Sequence, residues 1–297
     1  MINQTTVRRP RAASLCSIFC QSVVTTPGGD LREGGATAFL YRDRLGVTWL
    51  VTNWHVLTGR RPDDPGHLLE GKPQSPDRIM VTYPAKSPGE FLEPYELQLY
   101  RDGKPIWCEY SREELQIDIA AIPIEVPSNA AGITIQDFAE PTPAAIEPGM
   151  DVIVVGFPFL HGIDFPYPTW KRAMLATEPA YTVLGTPTIL LDMPGHPGMS
   201  GSPVYRSGRG FRVTRAQKEA IEAARTDSAL KALDMLSPDI LSDTTVALEL
   251  IGIYAGATGN RTMDKLNLGR MFMASLIELT IEKGQPGQNP FPPERYR

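Results

Sequence analysis

The stretch Pro194-Gly-His-Pro-Gly-Met-Ser-Gly-Ser-Pro203 places one serine, Ser200, among glycines. A serine that attacks a carbonyl needs an exposed Oγ and nearby backbone N–H groups that bind the developing oxyanion. Gly198 allows the unusual backbone angles that direct its own N–H and that of Ser200 toward one point. The stretch therefore predicts a nucleophile, Ser200, and an oxyanion hole formed by Gly198 and Ser200. An ordinary turn rich in Gly, Pro and Ser is the alternative interpretation.

The positions of the histidines relative to Ser200 limit the kind of serine hydrolase that this chain can be. In an α/β-hydrolase the acid and the histidine follow the serine, and the elbow reads Gly-x-Ser-x-Gly. Here the second position after the nucleophile is Ser202, and no histidine follows Ser200, so that class is excluded. The surroundings of Ser200 do not suit the order Asp, His, Ser either. The order His, Asp, Ser is left.

His55 is the candidate general base because it follows an apolar, strand-like stretch, Trp49-Leu-Val-Thr-Asn-Trp-His-Val56. A general base must sit on a rigid element from which its ring reaches the nucleophile. The other three histidines suit surface or pocket-lining positions better: they are His67 in a polar loop, His161 in a turn, and His196 close to Ser200 in sequence.

The candidate acid is Asp118, which begins the apolar segment Asp118-Ile-Ala-Ala-Ile-Pro-Ile124. A carboxylate in an apolar strand is unfavourable unless it has a partner, and orienting His55 would supply one. Asp151 also begins a strand-like run, but it follows Pro-Gly, and an ordinary turn explains it.

The rest of the chain predicts a mostly β protein. With 26 glycines and 28 prolines, short strands and many turns are favoured over long helices. Two clusters of strand-like runs are separated by a proline-containing connector, which predicts a pair of β-barrels or sandwiches. The predicted divisions are a flexible arm (1–14), a first barrel (15–126), a connector (127–148), a second barrel with a helical insertion at about 206–243 and a C-terminal helix (149–283), and a flexible tail (284–297).

Composition excludes several classes of function. The net charge of −5 lacks the basic footprint of a general nucleic-acid binder. No apolar run approaches the roughly 18 residues of a membrane span. No zinc-type spacing or phosphate loop occurs, so neither a metal nor another cofactor is expected. Three cysteines are too few for a disulfide framework, which favours the cytoplasm, with export as the alternative.

Taken together, these segments resemble the trypsin-like, chymotrypsin-fold serine peptidases, in particular the bacterial HtrA-like branch without a PDZ domain. The resemblance rests on motifs that occur in the family's order, from about residue 17 to residue 283. These motifs are Gly35-Ala-Thr-Ala-Phe-Leu40, Leu50-Val-Thr-Asn-Trp-His-Val56, Asp118-Ile-Ala-Ala-Ile122, Gly156-Phe-Pro158, Pro197-Gly-Met-Ser-Gly-Ser-Pro203 and Ile251-Gly-Ile-Tyr-Ala-Gly256.

The resemblance implies two six-stranded antiparallel β-barrels and a triad of His55 as base, Asp118 as orienting carboxylate and Ser200 as nucleophile. It also implies that the strand at Ala255, Gly256 and Ala257 binds substrate backbone. Pro194 stands where the family commonly sets the floor of the specificity pocket, so cleavage after Lys or Arg is not the default expectation. His196 would favour an acidic substrate residue if it faces that pocket.

The predicted function is a serine endopeptidase that acts on proteins or peptides through an acyl-enzyme, with regulated or narrow activity. A catalytically inactive trypsin-fold binding module is the alternative. The insertion at 206–243 is long for the family. It is predicted either as a solvated surface segment or as the docking site of a regulatory protein partner.

Overall fold

The computed structural model describes residues 10–26, 28–69, 74–112, 115–139, 145–158, 167–181, 183, 187–209, 246–257 and 265–296. Within these residues the chain is mostly β and forms two large antiparallel sheets that curl into half-barrels, two small two-stranded sheets, and a C-terminal helix. The predicted fold class is therefore confirmed. The predicted helical part of the insertion lies outside the described residues.

The first half of the chain contains the elements that carry the candidate base and acid, and most of them are strands. They are β1 (Ser17–Thr26), β2 (Gly29–Arg42), β3 (Thr48–Thr52), β4 (Arg60–Arg61), β5 (Asp64–Leu68), β6 (Arg78–Thr82), β7 (Tyr95–Gln98), β8 (Tyr100–Arg101), β9 (Lys104–Pro105), β10 (Cys108–Arg112) and β11 (Leu115–Pro123). Two short helices belong to this half: α1 (Ala12–Cys16) and α2 (Trp54–Thr58). A 3₁₀ turn at Ile135–Asp137 follows in the connector.

The second half carries the candidate nucleophile between two of its strands. Its strands are β12 (Asp151–Gly156), β13 (Thr169–Met174), β14 (Thr188–Asp192), β15 (Pro203–Arg209), β16 (Val246–Ala257) and β17 (Leu268–Met273). The chain then continues through helix α3 (Ala274–Lys283), the short strand β18 (Gln285–Pro286) and a 3₁₀ turn at Glu294–Tyr296.

The register of the first sheet brings the candidate base and acid together. Its strand order among the described residues is β18-β10-β11-β3-β2-β1-β6-β7. Ala120 of β11 lies opposite Thr52, the last residue of β3. Because the two strands are antiparallel, Asp118 extends two residues past the end of β3, toward His55. Ordinary strand pairing thus places two side chains together that are 63 residues apart in sequence.

The second sheet has the order β13-β12-β15-β16-β17-β14 in the described chain. Its core is a separate cluster of buried apolar side chains, among them Val152, Val154, Val204 and Met271. Met199, which directly precedes Ser200, is completely buried in this cluster. The candidate nucleophile is therefore anchored to the core of the second half by its neighbour in sequence.

Helix α3 crosses back to the first sheet and joins the two halves. Its Ile277 is completely buried in the core cluster of the first half, together with Tyr205, Ile253 and Phe272 from strands of the second sheet. The thiol of Cys108 on β10 donates to the backbone carbonyl of Thr280 on this helix at 3.3 Å. The two halves therefore share apolar packing, which stabilises their association.

The C-terminal segment, which was predicted to be a flexible tail, is packed against the first sheet in the structure. Residues 285–286 pair with β10 as strand β18, and the ring of Tyr296 stacks on that of Tyr100 with a centroid distance of 4.8 Å. Gly287 packs so closely on the indole of Trp107 that a Cβ would lie 2.3 Å from Nε1. The prolines of this segment prevent a helix, but they do not prevent an extended chain from packing on a sheet.

Two other boundaries of the predicted divisions do not coincide with the bounds of helices and strands. Residues 12–14, assigned to the flexible arm, begin helix α1, and Ala13 and Ser14 are buried. Residues 206–209, assigned to the insertion, complete strand β15. In the described parts of the chain, no helix has the length and apolar character needed to cross a membrane.

Candidate active site

His55 lies on a short helix that directly follows strand β3. Asn53 is extended, with φ −80° and ψ 149°, and helix α2 begins at the next residue. Gly59 ends the helix in the left-handed region at φ 66°, and its N–H donates to the carbonyl of His55 at 2.9 Å. A glycine suits this position because residues with a side chain are strained at positive φ. The capped turn fixes the backbone of His55 at the end of a buried strand.

Asp118 binds His55 through both of its carboxylate oxygens. Oδ2 lies 2.7 Å from His55 Nδ1, and Oδ1 accepts from the backbone N–H of His55 at 3.0 Å. The Asp118 side chain is completely buried, whereas the imidazole is 11% exposed. Because the carboxylate is an acceptor, Nδ1 carries the proton in the neutral ring, and Nε2 has the free lone pair. The ring is therefore oriented with its basic nitrogen away from the acid.

Asn53 supports the same arrangement, and the sequence reasoning did not identify it. Its side chain is completely buried, and Nδ2 donates to the backbone carbonyl of Asp118 at 2.7 Å. This contact continues the pairing of β3 with β11 beyond the last strand residue. The sequence signal for this role is a polar residue, Asn53, within an apolar stretch and directly before Trp54 and His55. Such a residue indicates a structural role because a buried amide requires hydrogen-bond partners.

The loop that carries Ser200 contains two glycines in the left-handed region. Gly198 has φ 94° and Gly201 has φ 84°. The loop is tied to β16 because the N–H of Gly201 donates to the Tyr254 carbonyl at 2.9 Å and the N–H of Tyr254 donates to the Ser202 carbonyl at 2.8 Å. A Cβ on Gly201 would lie 1.9 Å from the Thr37 carbonyl oxygen, so this position requires glycine. The glycine pattern in the sequence therefore has a steric cause.

The amides of Gly198 and Ser200 differ from those of their neighbours in the same loop. The N–H groups of Met199, Gly201 and Ser202 all donate to backbone carbonyls. Those of Gly198 and Ser200 have no hydrogen-bond partner among the described residues. These are the two amides that the sequence predicts to bind an oxyanion.

The structure brings Gly256 next to Ser200. Gly256 has φ 79°, and a Cβ built on it would lie 3.2 Å from Ser200 Oγ. Within the described residues, Ser200 Oγ and the ring of His55 do not form a hydrogen bond with each other. The contact between nucleophile and base is often loose before substrate binds. Instead, hydrogen bonds through Thr37 and Thr52 connect Ser200 to the end of strand β3, which precedes His55.

Thr37 and Thr52 were not identified by the sequence reasoning. The N–H of Thr37 donates to the carbonyl of Ser200 at 2.8 Å, and its hydroxyl donates to the carbonyl of Gly198 at 2.8 Å. The hydroxyl of Thr52 donates to the carbonyl of Thr37 at 2.8 Å. Both threonines are completely buried. Threonine is common in strands, so neither position differs from an ordinary strand residue in the sequence.

The predicted substrate-binding residues occupy different environments. Pro194 is exposed, whereas His196 is partly buried, and burial together with the charge of Lys171 lowers the pKa of its imidazole. Ala255 is buried, and Ala257 pairs with Gly269 of β17 after an irregularity in the ladder. A contact of any of these residues with a substrate side chain stays a prediction.

The other histidines and the acidic residues give no second site in the described chain. His67 binds Asp64 with 2.7 Å between Nδ1 and Oδ2, but both side chains are half or more exposed. His161 lies outside the described residues. Among the residues that the structure places, no three His, Cys, Asp or Glu side chains come together in a way that could hold a metal ion.

The family model of the trypsin-like peptidase domain matches residues 36–211, which is more than half of the chain and includes His55, Asp118 and Ser200. The chain therefore belongs to the trypsin-like peptidase domain family. None of the curated proteins matches it. The resemblance found in the sequence is confirmed at the level of this family, and the HtrA-like branch stays a prediction.

Proposed function

We propose that this protein is a serine endopeptidase that hydrolyses peptide bonds through His55, Asp118 and Ser200. The observation that carries the proposal is the double hydrogen bond between buried Asp118 and His55. Burying a carboxylate costs free energy, so a completely buried carboxylate that orients a partly exposed imidazole is typical of a catalytic site. Membership of a peptidase family and the glycine-rich loop around Ser200 support the same reaction.

In the first step, Ser200 Oγ attacks the carbonyl carbon of the scissile bond while Nε2 of His55 accepts the hydroxyl proton. The carbonyl oxygen becomes an oxyanion, and the N–H groups of Gly198 and Ser200 donate to it. His55 then gives its proton to the leaving amine, so the C–N bond breaks and an acyl-enzyme is left. Asp118 stabilises the imidazolium without taking its proton.

In the second step, a water molecule gives a proton to His55 and attacks the acyl carbon. The second oxyanion collapses as the bond to Ser200 Oγ breaks and the hydroxyl is protonated again from His55. The reaction needs neither a metal nor an organic cofactor, because the loop amides stabilise the charge and the imidazole transfers the proton.

The substrate in this proposal is an extended polypeptide that pairs with β16 near Ala255, Gly256 and Ala257. Peptides commonly add to an exposed strand edge through main-chain hydrogen bonds. Pro194 stands at the predicted pocket floor and carries no charge, so cleavage after Lys or Arg is not expected. A regulatory protein partner at the insertion, most of which lies outside the described residues, and a cytoplasmic location complete the proposal.

The proposal is tested with a fluorophosphonate probe on the purified full chain, followed by mass spectrometry of the labelled peptide. The wild-type protein is expected to be labelled on Ser200 and to hydrolyse casein, an unstructured protein. The Ser200→Ala variant is expected to keep its fold and to lose both activities. Retention of the label by this variant, or its absence from the wild-type protein, would overturn the proposal.

Ser202→Ala is the matched control for this experiment. Ser202 lies two residues from the nucleophile in the same loop, is completely buried, and its Oγ has no hydrogen-bond partner in the described residues. Removing this hydroxyl therefore leaves no partner unsatisfied. The variant is expected to be labelled at close to the wild-type rate, which separates loss of the nucleophile from disturbance of the loop.

A further inference from the structure

Thr37 is a residue of the first sheet that forms direct hydrogen bonds with the loop of Ser200. It lies on β2 opposite Phe19 and is completely buried. Its N–H donates to the carbonyl of Ser200 at 2.8 Å, and its hydroxyl donates to the carbonyl of Gly198 at 2.8 Å. One strand residue therefore holds carbonyls on both sides of Met199, within the segment that contains both candidate oxyanion donors.

The hydroxyl of Thr37 also accepts a hydrogen bond from the N–H of Phe157 at 3.1 Å. A threonine hydroxyl has one proton to donate, and here it is used on the Gly198 carbonyl. Phe157 directly follows β12, and Gly198 precedes β15, so both partners belong to the second half of the chain. In this buried position the hydroxyl joins the two halves at the level of the nucleophile loop.

The loop can approach Thr37 this closely because two residues that lie beside Thr37 in space, Gly156 and Gly201, are glycines. A Cβ on Gly201 would lie 1.9 Å from the Thr37 carbonyl oxygen, and one on Gly156 would lie 2.8 Å from the Thr37 hydroxyl. Both distances are too short for any side chain. The close contact between β2 and the loop therefore depends on the residue type at three positions, Thr37, Gly156 and Gly201.

The same residue connects the nucleophile loop to the strand that leads to His55. The hydroxyl of Thr52 donates to the Thr37 carbonyl at 2.8 Å, and Thr52 is the last residue of β3. A chain of hydrogen bonds thus runs from Thr52 through Thr37 to Ser200. Displacement of Thr37 would change the position of the loop relative to the strand end that carries the base.

We propose that Thr37 is a positioning residue that holds the Gly198 carbonyl through its hydroxyl and the Ser200 carbonyl through its N–H. These two bonds fix the peptide planes that follow Gly198 and Ser200, and so restrain the backbone torsions that direct the Gly198 and Ser200 amides toward the oxyanion. This inference rests on the proposed peptidase function, and it adds a residue that acts through the loop without touching substrate. Rigid support of the groups around the reacting atoms matters because small displacements in such sites reduce rates strongly.

The test compares variants of the full chain by their saturation kinetics with the fluorophosphonate probe. Thr37→Val and Thr37→Ala remove the hydroxyl, and Thr37→Ser keeps it. The matched control is Thr280→Val, since Thr280 is also completely buried and its hydroxyl donates to the Leu276 carbonyl at 2.8 Å within helix α3. Melting temperatures are measured for every variant, so that loss of stability is separated from loss of reactivity.

The variants without the hydroxyl are expected to show a limiting labelling rate lower by about tenfold, less than the loss of an oxyanion donor itself. Their half-saturation concentration should change by less than about twofold, because the loop acts on the reacting step rather than on probe binding. Thr37→Ser is expected to keep its rate within about threefold of wild type, and Thr280→Val should label at the wild-type rate.

Three outcomes would overturn the role of Thr37, and one of them would also overturn the proposed function. An unlabelled wild-type protein overturns the proposed function and this inference together. A labelled wild-type protein with an unchanged limiting rate in a folded Thr37→Val or Thr37→Ala variant overturns the role of Thr37 alone. If neither of these two variants folds while Thr37→Ser does, the hydroxyl is required for folding, and the positioning role is overturned.

Discussion

Asp118 accepts two hydrogen bonds from His55, one from the ring Nδ1 at 2.7 Å and one from the backbone N–H at 3.0 Å. The hydrogen bond from the backbone N–H holds the carboxylate against the main chain. The hydrogen bond with Nδ1 therefore orients the imidazole relative to the backbone, because the acid is itself held in place. Complete burial of the Asp118 side chain removes competing water from both bonds. The pair is therefore organised before any substrate arrives.

Replacing Asp118 by Asn tests the value of this arrangement. The amide can present an N–H to Nδ1, which favours the tautomer with its proton on Nε2 and removes the basic nitrogen. We expect the rate of casein hydrolysis to fall by about 10⁴-fold with little change in the far-UV circular dichroism spectrum. Asp64→Asn is the matched control, because Asp64 binds the exposed His67 at the same distance of 2.7 Å. A small loss at Asp118, equal to that of the control, would contradict the assignment.

Gly201→Ala tests whether the loop depends on close approach or only on positive φ. Gly149 has nearly the same φ, 81° against 84°, but no atom lies within 4 Å of its added Cβ. Both variants should lose about 1–2 kcal/mol of unfolding free energy from the left-handed backbone. Gly201→Ala alone also forces a contact of 1.9 Å with Thr37, and it should lose labelling at Ser200.

Urea unfolding and the fluorophosphonate rate are measured on both glycine variants. Equal rates in Gly201→Ala and Gly149→Ala would show that the loop moves without consequence for the nucleophile.

Truncation after Lys283 tests the packing of the C-terminal segment. Glu109 is buried, and its Oε2 accepts from the N–H of Gln288 at 3.0 Å, while the Gln288 carbonyl accepts from Nε1 of Trp54 at 3.2 Å. Without the segment, these groups lose partners in a buried position, so the unfolding free energy should fall by about 3 kcal/mol or more.

Gln288→Ala provides the control for the truncation. The side chain of Gln288 is exposed, and both of its contacts use the backbone, so the substitution should change stability by less than about 0.5 kcal/mol. A truncated protein as stable as the full chain in urea would mean that the segment does not support the first sheet.

Stability at alkaline pH should fall because of the buried thiols. Burial raises the pKa of Cys20 from 9.0 to about 12 and shifts the pKa of Cys16 in the same direction. Above pH 9 the unfolded chain releases these protons while the folded chain retains them, so the stability present below pH 9 is lost as the pH rises. Each thiol should cost about 1 kcal/mol between pH 9 and pH 10.

The measurement is the unfolding free energy in urea at both pH values for the wild type and for a Cys16→Ala, Cys20→Ala double variant. The double variant should lose about 2 kcal/mol less over this interval. An identical pH dependence in the two proteins would show that the thiols are accessible to solvent.

Much of the candidate site could be predicted from local sequence. The glycines around Ser200 reflect a steric need that any chain with this loop must meet, and Gly198 and Gly201 do have positive φ. The apolar runs that precede His55 and follow Asp118 form strands, as their composition indicates, and the structure pairs these two strands with each other. The packing of the tail on Trp107 and Tyr100 was not predicted, because its prolines indicate the absence of a helix but carry no information about such contacts.

By itself, the sequence determined the β character of the chain, the order of the candidate residues His55, Asp118 and Ser200, and the glycines of the Ser200 loop, since each follows from residue type and local spacing. The tertiary structure alone decided the register that sets Asp118 beside His55 and the contacts of Thr37 with the Ser200 loop. The hydrogen bond between Thr37 and Gly198 spans 161 residues of sequence, and neither residue indicates its partner. Such contacts arise only when two sheets pack together and bring buried polar groups within bonding distance.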